Sequence, residues 1–227
     1  MANGNFHLPT GRLIALAIAG GMTAGALGVY LFGAPSGNNV QEPLAVAAAS
    51  DPAGERACDA KADAARVVGD AAQGEVAAMM GASPPVSLAG LAFNAPDGTP
   101  MTVADMSGKT LLINLWATWC APCRHEMPAL NQLQEEMGSD AFEVVAVNVD
   151  TGSDEKPKAF LEETGVDALG YYRDSTLGLF NDLKRRGLAF GLPVTLLVDG
   201  DGCLLANMNG PAEWASPDAK RLIEAAM

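Results

Sequence analysis

The stretch LLINLWATWCAPCRHEMP, Leu111 to Pro128, holds two of the chain's four cysteines, two residues apart. It opens inside a short apolar run, Thr110 to Ala117, the pattern of a strand buried on both faces. From Pro122 to Met137 the pattern turns polar and helical. Cys120 and Cys123 therefore fall at a strand-to-helix junction, with Pro122 in the first helical turn, where its missing N–H costs least. Backbone N–H groups and the dipole at a helix start favour thiolate over thiol, which suits Cys120 to attack. Cys123, one turn inward, is placed to resolve a mixed disulfide.

Other uses of C-x-x-C fit this chain badly. Zinc takes four ligands, yet the histidines are only His7 and His125, and Cys58 and Cys203 stand alone. Haem attachment needs a histidine where Arg124 stands. A purely structural bridge across two residues would close a tiny loop and contribute little. No metal or nucleotide signature is present, so the expected cofactor is the chain's own dithiol.

Working outward, FEVVAVNVD (Phe142 to Asp150) reads as a second buried strand, followed by amphipathic segments at Asp154–Thr164 and Ser175–Arg186. PVTLLVD (Pro193 to Asp199) turns through GDG into CLLANM (Cys203 to Met208), a hairpin. A second hairpin over Leu91–Val103 is closed by Asp97-Gly98. A last helix, capped by Ser216, closes the chain. Strands alternating with helices, plus the hairpins, predict an α/β fold with a mixed central sheet flanked by helices.

Upstream, RLIALAIAGGMTAGALGVYLF (Arg12 to Phe32) contains 20 uncharged residues, Leu13 to Phe32, enough to cross about 30 Å as a helix. A cleaved secretory signal has a shorter apolar region, about 7–15 residues, so an uncleaved N-terminal transmembrane helix is expected. Arg12 precedes the span and no Lys or Arg follows until Arg56, which keeps the N-terminus cytoplasmic. The organisation expected is a cytoplasmic N-terminus (1–12), an anchor (13–32), a Gly/Pro/Ala-rich linker (33–54), an Ala-rich helical extension (55–84) and a folded domain (85–227). Apolar residues are 49% of the chain, enough for a core, and 27 acidic against 14 basic residues give a net charge of -13. That field repels phosphate backbones, so nucleic acid is not expected as a partner.

WATWCAPCRHEMPAL is similar to the W-C-x-P-C-R-x-E-x-P pattern of the TlpA/ResA/CcmG branch of membrane-anchored thiol–disulfide oxidoreductases. The matching residues are Trp119, Cys120, Pro122, Cys123, Arg124, Glu126 and Pro128. GLPVTLLVDGDG resembles the cis-proline segment of the thioredoxin-like fold, which sets Pro193 beside the redox pair. The resemblance covers about Ser87 to Met227. It implies that Cys120 and Cys123 are catalytic, with Trp119 shielding the active sulfur and Pro193 shaping the groove for a partner's strand. Thioredoxins carry a buried aspartate where Asn114 stands. Asparagine takes no proton, so Glu126 becomes the nearest replacement for proton handling; from residues alone, Glu126 reads as a solvent-facing helix carboxylate. Trp116 reads as core. Arg124, His125, Asp150, Glu162 and Glu163 read as solvated surface.

Ala-Pro between the cysteines, rather than a histidine that would over-stabilise the thiolate, points to a reductant. The resemblance further implies a domain in the periplasm on the inner membrane and electrons from an integral-membrane donor. It also implies protein substrates with reducible disulfides, among them a copper chaperone or the copper-bearing subunit of cytochrome oxidase. Reduction of apocytochrome c thiols, or a non-catalytic docking module with a merely structural Cys120–Cys123 bridge, are the alternatives. In an oxidising compartment an even count also predicts a structural Cys58–Cys203 disulfide. Two buried free cysteines, or Cys58 paired with a second molecule, stand against it.

Overall fold

All seven residues of β4 (Thr110–Trp116) are buried. The cause is its place in the sheet, between β5 (Phe142–Asn148), parallel to it, and β7 (Val194–Val198), antiparallel. This computed structural model describes residues 52–227; the expected anchor and most of the expected linker lie outside the described residues. Beyond β5 the sheet continues through β6 (Tyr172–Arg173), β2 (Ala92–Asn94) and β3 (Pro100–Thr102). On the other side it continues from β7 through β8 (Leu204–Asn209) to the two-residue edge strand β1 (Met80–Gly81). The full order is β1-β8-β7-β4-β5-β6-β2-β3. Only β4–β5 and β5–β6 are parallel, so the sheet is mixed.

Parallel neighbours need a crossover, and α3 (Ala121–Met137) supplies it between β4 and β5. Next come α4 (Glu155–Thr164), ending at Gly165 in the left-handed region, and α5 (Gly178–Arg185). The last helix, α6 (Pro217–Ala226), is capped by Ser216 Oγ, which accepts from Ala219 N at 3.1 Å. The core is layered along β4, β5 and β7, with Leu111, Leu112, Ile113, Leu115, Trp116, Val145, Leu196 and Leu197 buried to 1% exposure or less.

The Ala-rich extension is not one helix. It forms α1 (Pro52–Asp59) and α2 (Ala62–Ala71), then a 3₁₀ turn at Gly74–Val76 and finally β1, so it completes the sheet. The break falls where the chain is tied down twice: Cys58 is joined to Cys203, and Lys61 Nζ reaches Asp199 (3.1 Å) and Asp201 (2.5 Å) in the β7–β8 turn. On α2, Ala65 and Val68 are buried while Val67 faces out. α2 lies on the sheet through small residues. A Cβ on Gly81 would stand 2.6 Å from the Ala65 carbonyl oxygen, and one on Gly69 would stand 3.2 Å from Gly81 Cα. Among the described residues no helix is long and apolar enough to cross a membrane.

Candidate active site

Cys120 is the N-cap of α3, in extended conformation, and Cys123 lies in the helix's first turn. The two are joined as a disulfide, and Cys123 N donates to Cys120 Sγ at 3.3 Å. That donor and the helix start are aimed at the Cys120 sulfur, the setting in which a helix start favours thiolate over thiol. The two sulfurs differ in access. Cys120 keeps 6% of its surface exposed and Cys123 none.

The loop that delivers Cys120 is held from below. Asp150 accepts from Thr118 N (2.8 Å) and Thr118 Oγ1 (2.7 Å), and Asn148 Nδ2 steadies it at 2.7 Å. Asp150 is buried, so its expected surface placement is corrected. The parallel register sets Trp116 opposite Asn148, and two residues further along each strand Thr118 meets Asp150. The signal was present in sequence as a polar N-x-D at the end of a buried strand. Glu162 and Glu163 are exposed, as are Pro122, Arg124 and His125.

Pro193 follows a cis peptide bond and is buried. Val194 pairs with Leu115, so Pro193 stands at the end of the sheet where β4 gives way to the redox loop. Two aromatic side chains are exposed on the loops at this end: Trp119 at 67% and Phe190 at 75%. Most of the Trp119 indole is thus in solvent. Asn209 clamps the Phe190 loop, accepting from Phe190 N at 2.8 Å and donating to the Leu188 carbonyl at 3.1 Å. Phe190 escaped the sequence reading because an isolated apolar residue beside a turn carries no periodic signal.

Glu126 shares the inner face of α3 with Cys123, one turn on. It is 2% exposed, not solvent-facing as its residues alone suggested. Asn114 Nδ2 donates to its Oε1 at 2.9 Å; Ala212 N (3.1 Å) and Trp214 Nε1 (3.0 Å) donate to its Oε2. Burial pushes its pKa up to about 7, against the three hydrogen bonds, which favour the anion. Trp214 and Ala212 come from the segment after β8 and could not be placed near Glu126 without the fold. Cys58 and Cys203, also buried and joined, lie past the β7–β8 turn, at the opposite end of the sheet.

A mixed sheet carrying a disulfide at the β4–α3 junction, with a cis-proline alongside, defines a thioredoxin-fold protein built around a dithiol. A family model described as Redoxin matches residues 84–223, more than half of the chain, and the chain belongs to that family. It is similar to the thiol:disulfide interchange protein HelX of Rhodobacter capsulatus, 39% identical over 115 residues, 49% of this chain and 59% of that protein. It is also similar to the thiol-disulfide oxidoreductase ResA of Bacillus thuringiensis, 33% identical over 117 residues, 50% of this chain and 62% of that protein. The chain thus spans less than two thirds of either relative's length. Among solved structures, a thiol:disulfide interchange protein of the thioredoxin family from Chlorobium tepidum aligns with a TM-score of 0.52 at 26% identity. That alignment covers 64% of this chain and 98% of the other.

Proposed function

We propose that the chain is a thiol:disulfide oxidoreductase acting as a dithiol reductant of partner proteins. The observation that carries this reading is the asymmetry of the pair: Cys120, at a helix start, keeps 6% of its surface exposed, while Cys123 is sealed, one helical turn before the buried Glu126. In the reduced pair the Cys120 thiolate attacks one sulfur of a partner disulfide. The partner bond breaks, one partner sulfur leaves as thiolate, and a mixed disulfide to Cys120 remains. Cys123 then gives its proton to the Glu126 carboxylate and attacks Cys120 Sγ. The Cys120–Cys123 bond forms, the second partner sulfur leaves, and two electrons have passed to the partner. A proton acceptor near neutrality suits this step, because it can take and return the proton at working pH.

The catalytic residues in this reading are Cys120 and Cys123, with Glu126 as proton acceptor and Pro193, Trp119 and Pro122 shaping the partner-facing rim. The chain sits on the inner membrane through residues 13–32, with the domain in the periplasm and electrons arriving from an integral-membrane donor. The narrower reading is TlpA, serving cytochrome oxidase copper-site assembly through a copper chaperone or the copper-bearing subunit. It is supported by two features of the resemblance, the extension carrying Cys58 and the NGPAEWAS ending, Asn209 to Ser216. Insulin reduction with dithiothreitol tests the activity. The full chain should accelerate precipitation well above a Cys120→Ser control; equal rates would leave a docking module with a structural bridge.

A further inference from the structure

Glu126 must be satisfied both with and without its proton, since the proposed proton transfer passes through both forms. As a carboxylate it is well served by three donors, but the acid form brings a donor of its own and needs an acceptor. The Ala212 N–H and the Trp214 indole N–H can only donate. Asn114 differs, because its amide carries donors on one edge and an acceptor on the other. In the structure Asn114 Nδ2 donates to Glu126 Oε1 at 2.9 Å and to Thr195 Oγ1 at 3.0 Å. Its Oδ1 is buried and accepts from no group among the described residues. A buried carbonyl without a donor is costly, and this one lies on the residue that touches the titrating group.

We infer that Asn114 is a positioning residue whose amide turns over when Glu126 gains a proton, presenting Nδ2 to the carboxylate and Oδ1 to the acid. In the turned arrangement Oδ1 accepts from the Glu126 hydroxyl and from the Thr195 hydroxyl, which changes from acceptor to donor. Nδ2 gives up both acceptors and takes the place Oδ1 leaves, so the turn is driven by the acid's need for an acceptor. Only hydrogens and one side-chain torsion move. This deepens the proposed role of Glu126 and rests on it. The groups meeting the carboxyl are neutral: Asn114 from β4, which Thr195 from β7 backs, and Ala212 and Trp214 from the segment after β8. Cys123 shares its helix face, while Arg124 and His125 on α3 are exposed. An aspartate at position 114 could not do the same, because two carboxyls this close would share one proton instead of passing it on.

The test is infrared difference spectroscopy of the full, oxidised chain across the titration of Glu126, where no thiol contributes. The Glu126 acid carbonyl band is identified by its loss in Glu126→Gln, and the Asn114 amide carbonyl band by its loss in Asn114→Leu. Both should change at one midpoint, the amide band shifting as Oδ1 gains its donors. Thr195→Val should reduce that amide shift, because one of the two donors is gone; it carries the test even if Asn114→Leu does not fold. In Asn114→Leu, an amide that serves both forms leaves the Glu126 midpoint within about half a pH unit. One that only donates to the carboxylate leaves it higher by about a unit or more. An amide band that stays still while the carboxyl titrates, or that moves equally in Glu126→Gln, overturns the inference. Coupled bands in a chain inert towards insulin would keep the amide turn and remove the proposed function. A still amide in an active chain would do the reverse.

Discussion

Glu126 is a carboxyl whose proton is governed by burial rather than by a neighbouring charge, and this has a consequence for stability. Its ordinary pKa is 4.5 and its folded one about 7, so the folded state holds the proton more tightly than the unfolded one. The resulting stabilisation is full below pH 4.5 and is lost as pH rises through 7, amounting to about 3 kcal/mol. Urea unfolding across that window should show wild type losing this amount relative to Glu126→Gln, which lacks the titrating group. Parallel curves would mean that the carboxyl titrates normally in the fold. Position 126 was legible only through a resemblance, because a lone carboxylate three residues after a cysteine looks like any helix surface. The same applies to Asp150, whose role in fixing Thr118 depends on a strand register that local pattern does not encode. Cys120 and Cys123 were readable because their chemistry requires local features, a helix start and a two-residue spacing, whereas Pro193, like Glu126, was legible only through the resemblance.

At the level of elements, α2 and β1 meet through glycines that are not equivalent. Gly81→Ala would drive a Cβ to 2.6 Å from the Ala65 carbonyl oxygen, a backbone clash costing about 1–3 kcal/mol. Gly69→Ala meets Gly81 Cα at 3.2 Å, and its gain in helix propensity, about 1 kcal/mol, offsets much of the strain. Thermal melts should therefore rank Gly81→Ala clearly below Gly69→Ala; the reverse order would contradict the close packing. The Cys58–Cys203 bond spans a sequence separation of 145 residues, worth about 5 kcal/mol in the chain-entropy model. Cys58→Ala/Cys203→Ala should cost about 2–5 kcal/mol, with amide exchange rising first in α1, α2 and β1. Unchanged exchange there would show that Lys61 and the packing of Ala65 and Val68 hold the extension unaided. The strands β4, β5, β7 and β8 and helices α3 and α6 followed from apolar runs and caps. The extension did not, because an Ala-rich segment is helical at almost any spacing. Its break at Lys61 is set by partners 138 to 145 residues away, Asp199, Asp201 and Cys203.

For the molecule as a whole, two disulfides sit at opposite ends of one sheet and differ in kind. Cys58–Cys203 is sealed and closes most of the described chain, whereas Cys120–Cys123 closes a single turn and Cys120 keeps 6% of its surface exposed. A partner disulfide should therefore exchange with Cys120 and leave the other bond intact. The direct test is trapping with the reduced full chain carrying Cys123→Ser, offered a protein disulfide such as insulin. A covalent mixed disulfide should accumulate and map by mass spectrometry to Cys120, while Cys120→Ser, with Cys123 intact but buried, should trap none. Equal trapping by both variants, or adducts mapping to Cys58 or Cys203, would contradict the assignment of Cys120 as the attacking sulfur.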